Sequence, residues 1–380
     1  MNSPHLTACK GLLGRTECQA LRGLAILGIA LHNYCHWLGS AVKENEYQFF
    51  RANVEGLEHV LASPDGLLPV HLLSFFGHYG VPVFLFLSAY GLTMKYEQSL
   101  DATASPRQKD ARAGAFIRYH FLKLFRMMIV GFVAFTMIDA ITPGQHAYQV
   151  MDIVAQMGMF NNLLPSPDRI IWPGPYWFFG LMLQLYIVYR LLLFRRHWSV
   201  TVALMLVCTV IQLCCGPESE ALNRWRYNFV GGMLPFGAGL LYARYGRRLT
   251  SWRDEVGHMR FDTLHLLVAS VLILVLSTHY VGWYFVPLCV CSASIACVRI
   301  VMATQWLSVA AKALTWTGSV SAALFVCHPI SRKIFIPISR HGDVYTGLLL
   351  YAIASICLAW LFAQVMRKIP RPTLKTPQEP

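Results

Sequence analysis

Charge is scarce in this chain. Asp, Glu, Lys and Arg make up 13% of 380 residues, against 56% hydrophobic ones, where a soluble domain carries about 25% charged residues. That shortage excludes a soluble globular protein and points to one with several membrane spans. Acidic groups are the scarcest, 19 against 32 Lys and Arg, giving a net charge of +13. Such a balance invites a nucleic-acid partner, but the cations fall between apolar stretches instead of forming a patch, so no nucleic acid is expected. The first twenty residues hold Lys10, Arg15 and Glu17 and no apolar run, so no cleaved signal peptide is expected. There is no CxxC pair, no zinc spacing and no GxSxG elbow, which argues against a metal or disulfide framework and a serine nucleophile. The cysteines lie mostly in or at the ends of apolar runs, as small buried residues do. Neither an internal repeat nor a low-complexity tract occurs before the proline-rich end.

What the chain does have is about ten apolar stretches of spanning length: 20–38, 67–94, 118–141, 176–194, 200–215, 227–242, 264–280, 283–303, 307–330 and 345–366. The fold class expected is all-α, a polytopic transmembrane helical bundle. Pro69, Pro82 and Lys312 trouble the second and ninth stretches. With the N-terminus cytoplasmic, the inner segments collect Lys10, Arg15, Lys95, Arg107, Lys109, Arg112, Arg190, Arg244, Arg299 and Lys368, among others. The outer segments hold few, such as Lys43, Arg51, Arg226 and Arg332. The asymmetry places both termini in the cytoplasm of a multi-pass protein of the cell membrane. Residues 1–369 read as one membrane domain and 370–380 as a disordered tail.

The stretch from Leu21 to Trp37 organises the rest. It is apolar, yet carries Arg22 at its start and His32, Asn33 and His36 in its second half. His32 lies roughly 15 Å along the helix from Arg22, near the middle of a hydrocarbon core about 30 Å thick. A polar group at that depth is costly without a partner or a cavity, so function is the default reading. Asn33 falls within roughly 20° of Arg22 on the helical wheel and His36 within about 40°. His32 and His36, at i and i+4, meet on one face. The plainer readings are a snorkelling anchor for Arg22 and histidines bonded to a neighbouring helix. The pair also suits a metal, but no third His, Cys or carboxylate lies nearby in sequence, so no metal is expected.

Other polar groups sit at the ends of stretches. Ser88 and Tyr90 put hydroxyls near the inner face. Arg118, His120, Lys123 and Arg126 occupy two turns of a helix entering from the cytoplasm, where fixed cations suit a phosphate-bearing ligand or simply anchor the helix to lipid headgroups. Trp172 to Phe179 is an aromatic cluster at the outer face, fit for an interfacial belt or for stacking a sugar ring, and it leads into Gln184 and Tyr186. His328 lies near the outer end of the ninth stretch.

Four pieces, in this order, resemble the acyltransferase-3 family of integral-membrane acyltransferases. They are Leu21-Arg-Gly-Leu-Ala-Ile-Leu with a histidine late in the same helix, Gly80-Val-Pro-Val-Phe-Leu-Phe-Leu-Ser-Ala-Tyr90, Tyr176-Trp-Phe-Phe with Gln184-Leu-Tyr186, and Leu324-Phe-Val-Cys-His-Pro329. The resemblance implies transfer of an acyl group, commonly acetyl from cytoplasmic acetyl-CoA, to a hydroxyl of a carbohydrate or lipid-linked glycan of the cell envelope. It implies no bound cofactor, with acyl-CoA as co-substrate. It also implies that the first-helix arginine, here Arg22, and a histidine are needed for transfer. The family histidine falls at Asn33, with His32 one residue short and His36 three beyond. A basic pair spaced R-x-x-R on the third helix, which contacts CoA in the family, falls on His120 and Lys123 by its surroundings; Lys123 and Arg126 fit the spacing equally well. The family's Ser-Gly-Tyr is Ser88-Ala-Tyr90.

Together these readings give an expected mechanism. Lys123, Arg126, His120 and Arg118 hold the donor's phosphates, with Ser88 and Tyr90 nearby. An imidazole of His32 or His36 takes the acceptor's proton or carries the acyl group, and Arg22 stabilises the oxyanion or the donor. The acceptor enters near Tyr176, Trp177, Gln184 and His328. No carboxylate near the first helix stands out as an orienter of His32. A transporter or flippase for an envelope glycan is the competing class, but it predicts paired broken helices and an internal repeat.

Overall fold

The computed structural model describes residues 12–98 and 113–374. Lys10, Arg107, Lys109, Arg112 and residues 375–380 of the expected tail lie outside them. The described chain is helical, with no strand.

Helix α1, Arg15–Cys35, starts where the Glu17 carboxylate accepts the Gly14 N–H at 2.6 Å, satisfying one orphan donor of the first turn. It is followed by α2, Arg51–Ala62, and by α3, Leu68–Phe76. A 3₁₀ turn at Gly77–Tyr79 joins α3 to α4, Gly80–Tyr96. Pro69 and Pro82 fall in the first turns of α3 and α4, where a missing N–H breaks no helical bond, so neither ends the segment. Next come α5, Ala113–Ile141; α6, Val150–Gly158; α7, Trp177–Val188; α8, Trp198–Leu213; α9, Glu220–Arg226; and α10, Phe229–Tyr245. The last are α11, Arg247–Val256; α12, His258–Ser277; α13, Val286–Ala303; α14, Ser308–Ser319; α15, Ser321–Arg340; and α16, Val344–Lys368.

Among the described residues, six helical segments are long and apolar enough to cross a membrane: Leu68–Tyr96, Ala113–Ile141, Gly174–Leu193, His258–Ser277, Val286–Ala303 and Val344–Lys368. A seventh is counted if Gln305–Ser319 and Ser321–Arg340, bent by 82° at their junction, form one span. The stretches expected at 200–215 and 227–242 are helices of 16 and 17 residues, and α1 carries Arg15, Glu17 and Arg22. These three fall outside that measure, and the ninth stretch breaks at Val320. Helices α12 and α16 leave most of their apolar surface open, Leu264, Leu267, Val271, Leu349 and Ile353 included. A continuous exposed apolar face of that extent belongs against lipid.

Helix α1 is gripped along its length. A methyl at Gly23 would stand 2.0 Å from the Leu314 carbonyl oxygen of α14, and one at Gly318 only 1.8 Å from the Gln19 carbonyl oxygen. Further along, a methyl at Gly80 would meet the Ala25 oxygen at 2.3 Å, and one at Gly77 the His32 Cβ at 2.7 Å. Small residues let the backbones touch, and dispersion does the rest. The core proper lies between α4, α5, α7, α10 and α15, around Met128, Phe135, Phe179, Leu185, Met233 and Val326, all essentially inaccessible. At the end of the bundle where α1 begins, Arg244 pairs with Glu97 at 2.8 Å, and Arg299 with Glu17 at 3.3 Å. At the other end the segment after α1 folds back over the helix ends, and that fold builds the site.

Candidate functional site

The returning segment is pinned through its backbone. Trp283 Nε1 donates to the Asn45 carbonyl at 2.7 Å, Arg226 donates twice to the Glu46 carbonyl at 3.0 and 2.8 Å, and Asn53 donates to the Glu44 carbonyl at 2.8 Å. The Ser74 hydroxyl donates to the Val42 carbonyl at 2.6 Å. With its carbonyls satisfied elsewhere, the segment turns the side chains of Glu44 and Glu46 toward the end of α1.

There they meet a cavity of about 210 Å³ whose wall includes His32, Asn33, His36, His78, Glu44 and Glu46. His32 is 2% exposed, and its Nδ1 lies 2.8 Å from the Ser74 carbonyl oxygen. A carbonyl only accepts, so Nδ1 carries the hydrogen and Nε2 of the neutral ring holds a lone pair. That Nε2 is 3.9 Å from a Glu46 carboxylate oxygen. The His36 ring stacks on His32 with centroids 4.7 Å apart, and its Nδ1 lies 3.0 Å from Glu44. His78 approaches edge-on at 5.4 Å, with neither ring nitrogen partnered.

The two carboxylates are driven apart in acidity. Burial works to raise Glu44, but the hydrogen bond and charge of His36, helped by His32, hold it down at about 2. Burial raises Glu46 to about 8, and the neighbouring charge of Glu44 adds to the rise. The two neighbouring carboxylates are thus pushed in opposite directions, Glu44 toward its ionised form and Glu46 toward its protonated form, the arrangement that separates charge stabilisation from proton handling. Burial also lowers Arg226, whose guanidinium lies over the Trp283 ring at 4.3 Å.

The rest of the wall is aromatic and cationic. Tyr47 stacks on Tyr227 at 4.1 Å, and Trp37, Trp172 and Trp177 close the sides. Arg332, 6% exposed, donates to the Asn33 carbonyl at 3.3 Å and lies over the Trp37 ring at 4.9 Å.

A second cavity, of about 250 Å³, opens nearer the start of α1. Arg22, Ser88, Lys123, Met182, Tyr186 and Ser321 contribute to its wall. The charges facing Lys123 are cations, Lys95 and Arg22. Phe178 and Phe325, with ring centroids 5.2 Å apart, line both cavities. Two aromatic rings are thus a shared partition between a cationic chamber and an imidazole–carboxylate chamber.

The residues singled out from the sequence distribute unevenly. His32, His36, Asn33 and Trp177 line the first cavity, whereas Arg22, Ser88 and Lys123 line the second. Arg22 thus stands apart from His32, about 15 Å away along α1. His120 packs between Phe116 and Tyr186 beside the second cavity, and Arg118 is exposed. Arg126 turns to the end of α16 and donates to the Met366 carbonyl. The Tyr90 hydroxyl donates to the Leu13 carbonyl at 3.0 Å, and that of Tyr176 to the Val326 carbonyl at 2.9 Å. Gln184 ties α7 to α10 by bonds to Asn228 and the Phe229 N–H. His328 is fully buried, its Nδ1 3.1 Å from the Leu324 carbonyl oxygen. Sequence reasoning missed Glu44, Glu46, Arg332 and the partition of Phe178 and Phe325. Two glutamates within ten residues of His36 were the available signal.

A family model described as "Acyltransferase domain", that of the acyltransferase-3 family, matches residues 17–364. No curated protein and no solved structure matches the chain.

Proposed function

Because the chain belongs to the acyltransferase-3 family of membrane acyltransferases, we propose that it moves an acetyl group from cytoplasmic acetyl-CoA to a hydroxyl of a cell-envelope carbohydrate. One observation carries the reading: α1 presents Arg22 to a cationic chamber and His32 to an imidazole–carboxylate chamber, and the two share a wall. In this reading the helices cross the membrane about ten times with both termini in the cytoplasm. The cationic chamber then faces the donor side and the other faces outward.

Arg22 and Lys123 hold the anionic portion of the CoA, with Ser88 and Tyr186 as hydroxyls along its path. The thioester end passes Phe178 and Phe325 to reach the His32 ring. The acceptor hydroxyl gives its proton to His32 Nε2 as its oxygen forms a bond to the thioester carbonyl carbon. Arg332 stands on the same cavity wall to balance the oxyanion charge. The carbon–sulfur bond then breaks, and the imidazolium returns the proton to the CoA thiolate. Ionised Glu44 stabilises the imidazolium stage, and Ser74 keeps the ring in the tautomer that exposes Nε2. Flat aromatic walls with hydroxyls and carboxyls between them suit a sugar ring, which offers apolar faces and polar edges.

The test is incubation of the purified protein with radiolabelled acetyl-CoA, beside His32→Ala, His36→Ala and Lys123→Ala, following thioester cleavage and donor binding separately. Cleavage lost in His32→Ala with binding spared is the expected result. A wild type that neither binds nor cleaves acetyl-CoA, with envelope glycan present, removes acetyl-CoA as donor.

A further inference from the structure

The chamber around His32 holds more polar atoms than a single proton transfer uses. His36 Nε2, one Glu44 oxygen and both nitrogens of His78 are buried there without hydrogen-bond partners. His78 is 4% exposed and forms part of the cavity wall. Buried polar groups are nearly always paired, so these unpaired ones mark a place for a ligand. One ligand atom from each of His32, His36 and Glu44 lies within 4.8 Å of the others. Glu44 follows His36 by eight residues, beyond the end of α1, and the fold brings its carboxylate back beside the histidine pair.

We propose that His32, His36 and Glu44 bind a first-row divalent transition metal such as Zn2+, with His78 beside them, and that its occupancy silences transfer. Two imidazoles at i and i+4 with one carboxylate are a His₂Glu donor set, and neutral imidazole and carboxylate both suit Zn2+. Tetrahedral ligand atoms lie about 3.3 Å apart, so side-chain rotation of about 1 Å closes the set around an ion. The outer shell is in place already: the Ser74 carbonyl holds His32 Nδ1–H and leaves Nε2 for the metal, the tautomer control that zinc histidines use. The inhibitory half rests on the proposed function, because a metal on Nε2 occupies the lone pair that would take the acceptor's proton. The binding half stands without it.

Full-length protein in detergent, stripped with chelator, would be titrated with Zn2+ and separately with Co2+, reading bound metal per chain and the visible spectrum. One Zn2+ per chain is expected, with four-coordinate Co2+ bands free of thiolate charge transfer. His36→Ala and Glu44→Gln should each weaken binding about 100-fold or more, beyond what loss of an outer-shell partner does. A Cys214→Ser/Cys215→Ser double variant should bind as the wild type does. Binding that survives both first substitutions, a thiolate band, or the lack of stoichiometric binding by wild type overturns the site. The wild-type spectrum decides the matter even if the variants misfold. In the activity arm, metal-free protein should transfer acetyl and lose that activity as the site fills; activity that rises with Zn2+ overturns the inhibitory role. Metal-free protein without transfer, but with one bound metal per chain, would count against the proposed function and leave the metal site standing.

Discussion

His32 Nδ1 and the Ser74 carbonyl oxygen lie 2.8 Å apart, joining α1 to α3 across 42 residues of chain. That contact fixes both the orientation of the ring and the nitrogen left to react. It separates two jobs that a single substitution usually destroys together.

Asparagine can keep one job and lose the other. In His32→Asn the side-chain amide retains a donor near Nδ1 and removes the Nε2 lone pair. Thermal stability should stay close to wild type while acetyl transfer falls about 10²–10⁴-fold, the usual contribution of a positioned base. His32→Ala should lose stability as well as transfer. If His32→Asn transferred at the wild-type rate, the base would have to be His36 or His78.

Arg22 on α1 and Lys123 on α5 should behave differently from Arg126. Lys123→Ala or Arg22→Gln removes a charge facing the cationic chamber, and each charged hydrogen bond is worth about 1.5–3 kcal/mol, so on the proposed function acetyl-CoA affinity should fall roughly 10- to 150-fold. Arg126 donates to the Met366 carbonyl, and Arg126→Ala should lower the unfolding temperature with little change in acetyl-CoA binding. Equilibrium binding of labelled donor, beside thermal unfolding, separates the two classes.

Phe325→Ala should open the partition. The substitution costs about 3 kcal/mol of packing at most, near the lower end for buried phenylalanines because the ring already borders two cavities. Without the ring, water has a route between the imidazole and the thioester. Acetyl-CoA hydrolysis in the absence of acceptor should rise several-fold relative to transfer, and an unchanged ratio would show that the ring is no barrier.

At the crossing of α1 and α14, Gly318→Ala places a methyl 1.8 Å from the Gln19 carbonyl oxygen. Overpacking of this kind costs about 1–3 kcal/mol. The apparent unfolding temperature should fall, and the remaining folded protein should show weaker donor binding, because Arg22 lies one turn from the contact. A variant as stable as wild type would mean that the helices separate at no expense.

Much of this was legible in the sequence because it is local. The polar positions of α1, the helical class and the cations of α5 follow from periodicity and spacing along one chain segment. What spacing cannot show is where a backbone goes after a helix ends. Glu44 reaches His36 only because Trp283, Arg226 and Asn53 hold the carbonyls of the intervening turn, and those partners come from distant parts of the chain. Arg126 has the same difficulty: its spacing matches a donor contact, but the end of α16 takes it. The break at Val320 is likewise invisible in an apolar run, since a bend of 82° between two helices leaves hydropathy unchanged.

The grip of small residues on α1 gives the molecule a lever. Gly23, Gly28, Gly77, Gly80 and Gly318 bring backbone against backbone on more than one side, so the helix tilts as one body or not at all. Arg22 and His32 therefore share one rigid element. Whatever factor a bound thioester applies to acceptor affinity, a bound acceptor must apply to thioester affinity in return. On the proposed function, any such factor passes through α1, a rod that borders both chambers.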